Sequence, residues 1–312
     1  MLKTPLVAET NPAVSLRPAA PRVSRPLGEY LDHLSPAAWA SIALLAALLV
    51  GLYARIAVKL VTDWYQIQDD SGGFLIPFFV VFLVWDGRQR WRETPVRYEW
   101  KGITVVALAL FVLVLGVLGA DLFLSRTSFI LLTAGLVWTL LGRPALARSR
   151  FILLTMLLAV PLPTLILNHI TFPLQILASR VASDLLPLAG VPVLREGNVI
   201  QLPAMQLEVA EACSGIRSLM SLFIVAVIFG YFMERSVLRR TILAFAAIPI
   251  AVAANAMRIF GTGLCVQYWD PEKAMGFFHE FSGWLVFLVS LISLYLVHLA
   301  MNRWPRKGSA AS

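Results

Sequence analysis

Cys213 and Arg217 stand four residues apart in Glu211-Ala-Cys-Ser-Gly-Ile-Arg-Ser-Leu219, where a polar stretch gives way to an apolar one. If a helix starts there, its free N–H groups and a nearby cation both favour the reactive thiolate. Ser214 can cap that helix, Gly215 leaves room beside the sulfur, and Arg217 shares the cysteine's face. A lone cysteine is also, more blandly, a small apolar packing residue. Two further segments carry capable groups. Asn255-Ala-Met-Arg258 places an amide and a guanidinium one turn apart at the end of an apolar run, where they suit a carboxylate or an oxyanion. An arginine at a helix C-terminus is equally suited to the helix dipole or to lipid headgroups. Phe277-Phe-His-Glu-Phe-Ser-Gly-Trp284 opens the last apolar run with His279, Glu280 and Ser282. A cysteine, a histidine and a cation are the minimum set for thiol acyl transfer.

The elements that must bring these groups together are membrane helices. Of 312 residues, 59% are hydrophobic and 14% charged, and mean hydropathy is +0.77; soluble domains carry about 25% charged residues. Hydropathy predicts eight spans, approximately 37–58, 73–86, 102–120, 124–141, 151–167, 214–233, 238–257 and 281–301. The second is short and opens on Gly72-Gly73, so it is expected to be tilted, broken or longer than it looks. Eighteen of the 26 basic residues fall in the N-terminal tail, the C-terminal tail and the segments 87–101, 142–150 and 234–240. Eight spans put all five on one side, which the positive-inside rule makes the cytoplasm. The net charge of +8 is thus a topology signal, and a nucleic-acid partner is excluded. Among the four histidines, His33 falls in the tail and His298 near the cytoplasmic end, so only His169 and His279 can meet Cys213 at the outer face.

Residues 1–35, with Pro5, Pro12, Pro18, Pro21 and Pro26, read as a disordered cytoplasmic tail, 36–302 as the transmembrane domain and 303–312 as a second tail. No signal peptide is expected. Between spans five and six, Gln175, Ser179 and Ser183 recur at spacing four beside apolar residues, as in an amphipathic helix on the outer leaflet. Short apolar runs around Glu196-Gly197-Asn198 predict a hairpin with a third strand. The fold class is therefore an all-α polytopic membrane protein of about eight helices, with a small extracytoplasmic cap of amphipathic helix and β-hairpin. Asp69 and Asp70, before the Gly-Gly turn, read as a solvated loop or as lining for a site. Two cysteines make no disulfide framework; Cys265 reads as a packed loop thiol or as a partner for Cys213. Metal-ligand spacing, phosphate loops and nucleotide fingerprints are missing, so no cofactor and no metal are expected.

In this ordered set the chain resembles the exosortase/archaeosortase family over roughly 60–300. EACSGIRSL at 211–219, NAMRI from Asn255 and HEFSG from His279 carry the resemblance. PLP at 161–163, REGNVIQLP at 195–203 and GGFLIP at 72–77 support it. Where that family usually reads Ser-His-Gly-Phe, this chain has Gly72 in the histidine's place. The resemblance implies an inner-membrane cysteine transpeptidase with Cys213, Arg258 and His279 as its catalytic residues. Arg217, Asn255, Ser214 and Glu280 would support them. It further implies precursor proteins bearing a C-terminal Pro-Glu-Pro signal, an apolar helix and a basic tail, and a link to exopolysaccharide and biofilm matrix. The rivals are a polytopic carrier or polysaccharide-export subunit, which expects charges near mid-membrane in paired half-repeats, and a redox protein using Cys213 and Cys265.

Overall fold

Helices form wherever the apolar runs are uninterrupted, and their ends fall at caps, glycines and prolines. The computed structural model describes residues 25–209, 215–269 and 277–303; for 68, 215–217 and 277–280 it describes the backbone. A short helix α1 (Leu27–Asp32) precedes the long α2 (Pro36–Gln66), which Ser35 caps by accepting from Ala38 N at 3.2 Å, with Pro36 in the first turn. The part of the proline-rich tail within these residues departs from the predicted disorder. Leu27 N donates to Thr94 O, Val96 N to Arg25 O, and Arg92 pairs with Asp32, fastening α1 to residues 92–96.

After α2 the chain tightens into a 3₁₀ turn (Gln68–Phe74) that leads straight into α3 (Leu75–Asp86), followed by the one-turn α4 (Arg88–Arg92). The twelve residues of α3 rise about 18 Å, and Gly72 and Gly73 fall in the 3₁₀ turn that precedes it. Gly73 is required where it stands, because a Cβ there would collide with the Trp64 indole, whose Nε1 donates to Ala159 O at 2.9 Å. α5 (Gly102–Leu118) and α6 (Leu122–Leu141) form an antiparallel hairpin, the second capped by Asp121. Ala109, Leu113 and Leu132 of this pair pack on Tyr53 of α2.

α7 (Arg143–Leu157) starts eight residues before the predicted span 151–167 and stops inside it. Pro161 and Pro163 supply no N–H to continue the ladder, so 158–163 leave the helix and α8 (Thr164–Leu185) begins. A further 3₁₀ turn (Leu186–Ala189) leads to β1 (Leu194–Glu196), β2 (Val199–Gln201) and β3 (Gln206–Glu208), an antiparallel sheet in that order. Glu196 pairs with Val199, leaving Gly197-Asn198 as a two-residue turn in which Gly197 takes φ +66°. Ile200 and Leu207 pack against Ala178 and Ala182 of α8.

The last three helices form a bundle: α9 (Gly215–Met233), α10 (Val237–Tyr268) and α11 (Phe277–Arg303). Leu219, Leu222 and Ala226 meet Leu243, Ala247, Ala251 and Leu294, the small alanines letting the backbones approach closely. The predicted span 238–257 is corrected: α10 continues to Tyr268, because Ile259 and Val266 are buried against the sheet and Leu186. Four helices are long and apolar enough to cross a membrane, Pro36–Gln66, Leu122–Leu141, Val237–Tyr268 and Phe281–Arg303; Gly102–Leu118 and Ser218–Met233 are shorter and apolar. α8 also departs from expectation. Its small polar stripe is not its wet side, since Ser179 and Ser183 are buried while Ile170, Phe172 and Leu177 are exposed.

Candidate functional site

One end of the α9–α11 bundle holds Asn255, Arg258 and Ser282. α9 starts there, α10 returns there, and α11 sets out from there. The first nearby fixed point is Asn255, 6% exposed, which lines a small cavity of about 20 Å³ with Thr171 and Gln175 of α8, Leu219 of α9 and Ala251 of α10. That space suits about one water molecule among polar partners. Asn255 is therefore level with Leu219, and Arg258, nearly one turn further along α10, is level with the start of α9.

Arg258 is half-buried. Its Nε donates to Ser282 Oγ at 3.4 Å, and its guanidinium lies over Gly283, where an added Cβ would stand 3.3 Å from a terminal nitrogen. Since α10 continues ten residues beyond it, Arg258 is not a C-terminal dipole partner. Position 279 precedes Ser282 by three and Gly283 by four, so it lies on the stripe of α11 that meets Arg258. Glu280 belongs to the same first turn. Arg217 lies in the first turn of α9, on one stripe with Met220, Ser221 and Ile224. Cys213 and Ser214 lie outside the described residues, one and two positions before Gly215.

The stripe shared by position 217 faces the 3₁₀ turn after α2. Met220 and Ile224 line a cavity of about 200 Å³ with Asp69, Asp70 and Gly72, and Ile224 and Ser221 are the nearest side chains to Gly72. The acidic turn is thus packed onto α9 and not merely solvated. Burial raises the Asp70 pKa; Asp69 and Asp63 nearby add to that, and Arg126 offsets part of it. The folded chain therefore holds this proton to higher pH than the unfolded chain does. Asp70 costs no stability at low pH and destabilises as pH rises through its folded-state value. Asp70→Asn is expected to raise the thermal midpoint at neutral pH, with the difference shrinking towards about pH 4, the ordinary aspartate range; a midpoint difference independent of pH would contradict this.

Sequence reasoning passed over a second charged group. Arg126, 4% exposed on α6, pairs with buried Asp63 of α2, which also accepts from Lys59 Nζ at 2.6 Å. The available signal was an arginine two residues into the predicted span 124–141, which demands a buried partner. A carrier would also hold charges inside its helices, but these sit within one turn or so of the ends of α2 and α6 and are tied to one another. His169 sits on α8 with Nδ1 2.8 Å from Leu165 O. His298 is at the far end of the bundle, buried, with Nδ1 2.9 Å from Glu234 Oε1. Cys265 lies on α10, not in a loop, as a free thiol; Cys213, the partner the redox reading needs, falls outside the described residues. Among the described residues no cluster of histidine, cysteine and acidic side chains is arranged to hold a metal.

These helices, apolar on their outer faces, define a multi-pass membrane protein. The transmembrane exosortase family model matches residues 64–296, more than half of the chain, so the chain belongs to the transmembrane exosortase family. That family is peptidase/transpeptidase-like and acts in protein sorting at a membrane. No curated protein and no solved structure matches the chain.

Proposed function

We propose that this chain is a cysteine transpeptidase that cleaves C-terminal Pro-Glu-Pro sorting signals of exported proteins and transfers the product to a cell-surface acceptor. The observation that carries the reading is the meeting of Arg258 with Ser282 and Gly283, one turn after His279, at the level where the chain enters α9 just beyond Cys213. This end of the bundle is taken as the periplasmic face of the bacterial inner membrane, with both termini cytoplasmic, in keeping with the distribution of basic residues. Work on the matrix of exopolysaccharide and biofilm fits such a sorting step.

In the reaction, the Cys213 thiolate adds to the carbonyl of the scissile peptide bond. Arg258 stabilises the resulting oxyanion or orients the signal's glutamate. The C–N bond breaks as His279 gives its proton to the departing amine, leaving a thioester on Cys213. The acceptor nucleophile then loses its proton to His279 and attacks the thioester, and the thiolate departs. Arg217 adds positive charge, Asn255 holds the α8 side of the site, and Ser214 and Glu280 support Cys213 and His279. Chemistry at the end of the helices suits a substrate cut just outside its own membrane anchor.

The test is processing of a precursor that ends in Pro-Glu-Pro, an apolar helix and a basic tail, in membranes with and without this chain. Cleavage is expected only where the chain is present, and is expected to fail when the signal's glutamate is replaced by alanine. Equal cleavage in membranes lacking the chain, or none in membranes that contain it, would contradict the proposal.

A further inference from the structure

A cavity of about 350 Å³ lies between α2, α3, α6 and α7; it shares only Ala159 and Val160 with the cavity beside α9. Its wall follows one stripe of α2 from Tyr53 through Ile56, Ala57 and Leu60 to Trp64, a slot about 16 Å long. Val80 of α3 and Ile130 of α6 close other sides. Val81 lines it as well and is 69% exposed, so the mouth opens on the outer apolar surface. Apart from Arg126, the lining is almost entirely hydrocarbon and aromatic.

Arg126 breaks that pattern. One of its terminal nitrogens reaches Asp63, while Nε is buried and has no hydrogen-bond partner among the described residues. A buried N–H without an acceptor is costly, and such groups in native proteins are almost always satisfied. Water is a poor occupant, because it needs two to four polar partners, and an apolar cavity of about 150 Å³ already stays dry and takes benzene. An empty void of this size is also unfavourable. The occupant must be slender, apolar along its length and an acceptor at one end. α2 and α6 are both long and apolar enough to cross a membrane, so the solvent at the mouth is lipid. Arg126, bonded to Asp63, marks the Trp64 end of the slot, near the end of α2, and the end of a spanning helix is where the hydrocarbon core gives way to the polar interface.

We propose that this cavity is a lipid site. One acyl chain of a bilayer glycerophospholipid lies along α2 towards Tyr53, and its ester carbonyl accepts from Arg126 Nε. The inference is independent of the transpeptidase reading. Full-length protein purified in mild detergent is expected to retain one phospholipid per chain, seen by native mass spectrometry and lipid extraction. On re-addition, ester-linked phospholipid should raise the thermal midpoint more than its ether-linked counterpart. Val80→Trp and Ala57→Trp, which fill the slot from two sides, should each lower retained lipid at least tenfold, with gel-filtration behaviour confirming that they fold. Arg126→Lys keeps a cation for Asp63 but has no Nε, and should lose the preference for the ester. If the tryptophan variants do not accumulate, the ester-to-ether comparison on the unaltered chain decides. The proposal is overturned by an unaltered chain that retains no phospholipid, by equal retention in either tryptophan variant, by indifference to the ester, or by a substrate peptide occupying the slot instead.

Discussion

Cys213→Ala is expected to stop precursor cleavage while the protein still accumulates in the membrane. The methyl group that replaces the thiol has no lone pair with which to attack the carbonyl, so the thioester cannot form at this position. Where the attacking residue of a catalytic unit is removed, rates fall by on the order of 10⁶, leaving only what binding and oxyanion stabilisation supply. The rest of the chain gives no reason for misfolding, because residue 213 precedes α9 and the bundle is held by Leu219, Leu222 and Ala226. Full-length precursor should therefore persist beside normal amounts of the variant, as read by immunoblot of membranes. Processing by the alanine variant at the unaltered rate would remove the cysteine from the mechanism.

His279→Gln carries the second-largest expected effect. Glutamine keeps a polar side chain of similar reach but cannot pass a proton to the departing amine, and general acid–base groups contribute about 10²–10⁴ in rate. The position is fixed by helix spacing. Ser282 and Gly283 meet Arg258, and 279 lies one turn earlier on that stripe. A purely structural role would change the amount of protein and leave the rate per molecule intact. The expected result is normal accumulation, continued co-purification with precursor, and cleavage slowed at least a hundredfold. Cleavage per molecule at the unaltered rate would assign the proton transfer elsewhere, and His169 on α8 would be the next candidate.

Much of this fold was legible because membrane helices are written in long apolar runs. α5, α6, α9 and α11 fall close to where hydropathy draws them, whereas α2 runs eight residues past its predicted end at 58, to Gln66. What hydropathy cannot supply is tertiary context. It ended α10 at 257, since Asn255 and Arg258 look like a boundary; burial of Ile259 and Val266 against the sheet carries the helix on to Tyr268. It placed the polar stripe of α8 in water, whereas Ser179 donates to Gly197 O and to Ile176 O inside the protein. It ran a span through Pro161 and Pro163, where the helix breaks. Of the candidate site, Arg258 and its neighbours on α11 were legible as motifs; their contact was not, because the two lie 24 residues apart. Asp63 and Arg126 are 63 residues apart, and only folding identifies them as partners. Gly72 is a separate lesson. It faces Ser221 and Ile224 of α9, so a histidine there would point at the helix that follows Cys213.

The most direct test is chemical capture of the intermediate. Membranes carrying the chain are mixed with a signal-bearing precursor, quenched, and digested for peptide mass mapping. A thioester between the new C-terminus of the precursor and the Cys213 sulfur, released by hydroxylamine and lacking in Cys213→Ala, is the expected result. Cleaved precursor with Cys213 unmodified throughout turnover, or an acyl group on any other residue, would contradict covalent catalysis by this cysteine.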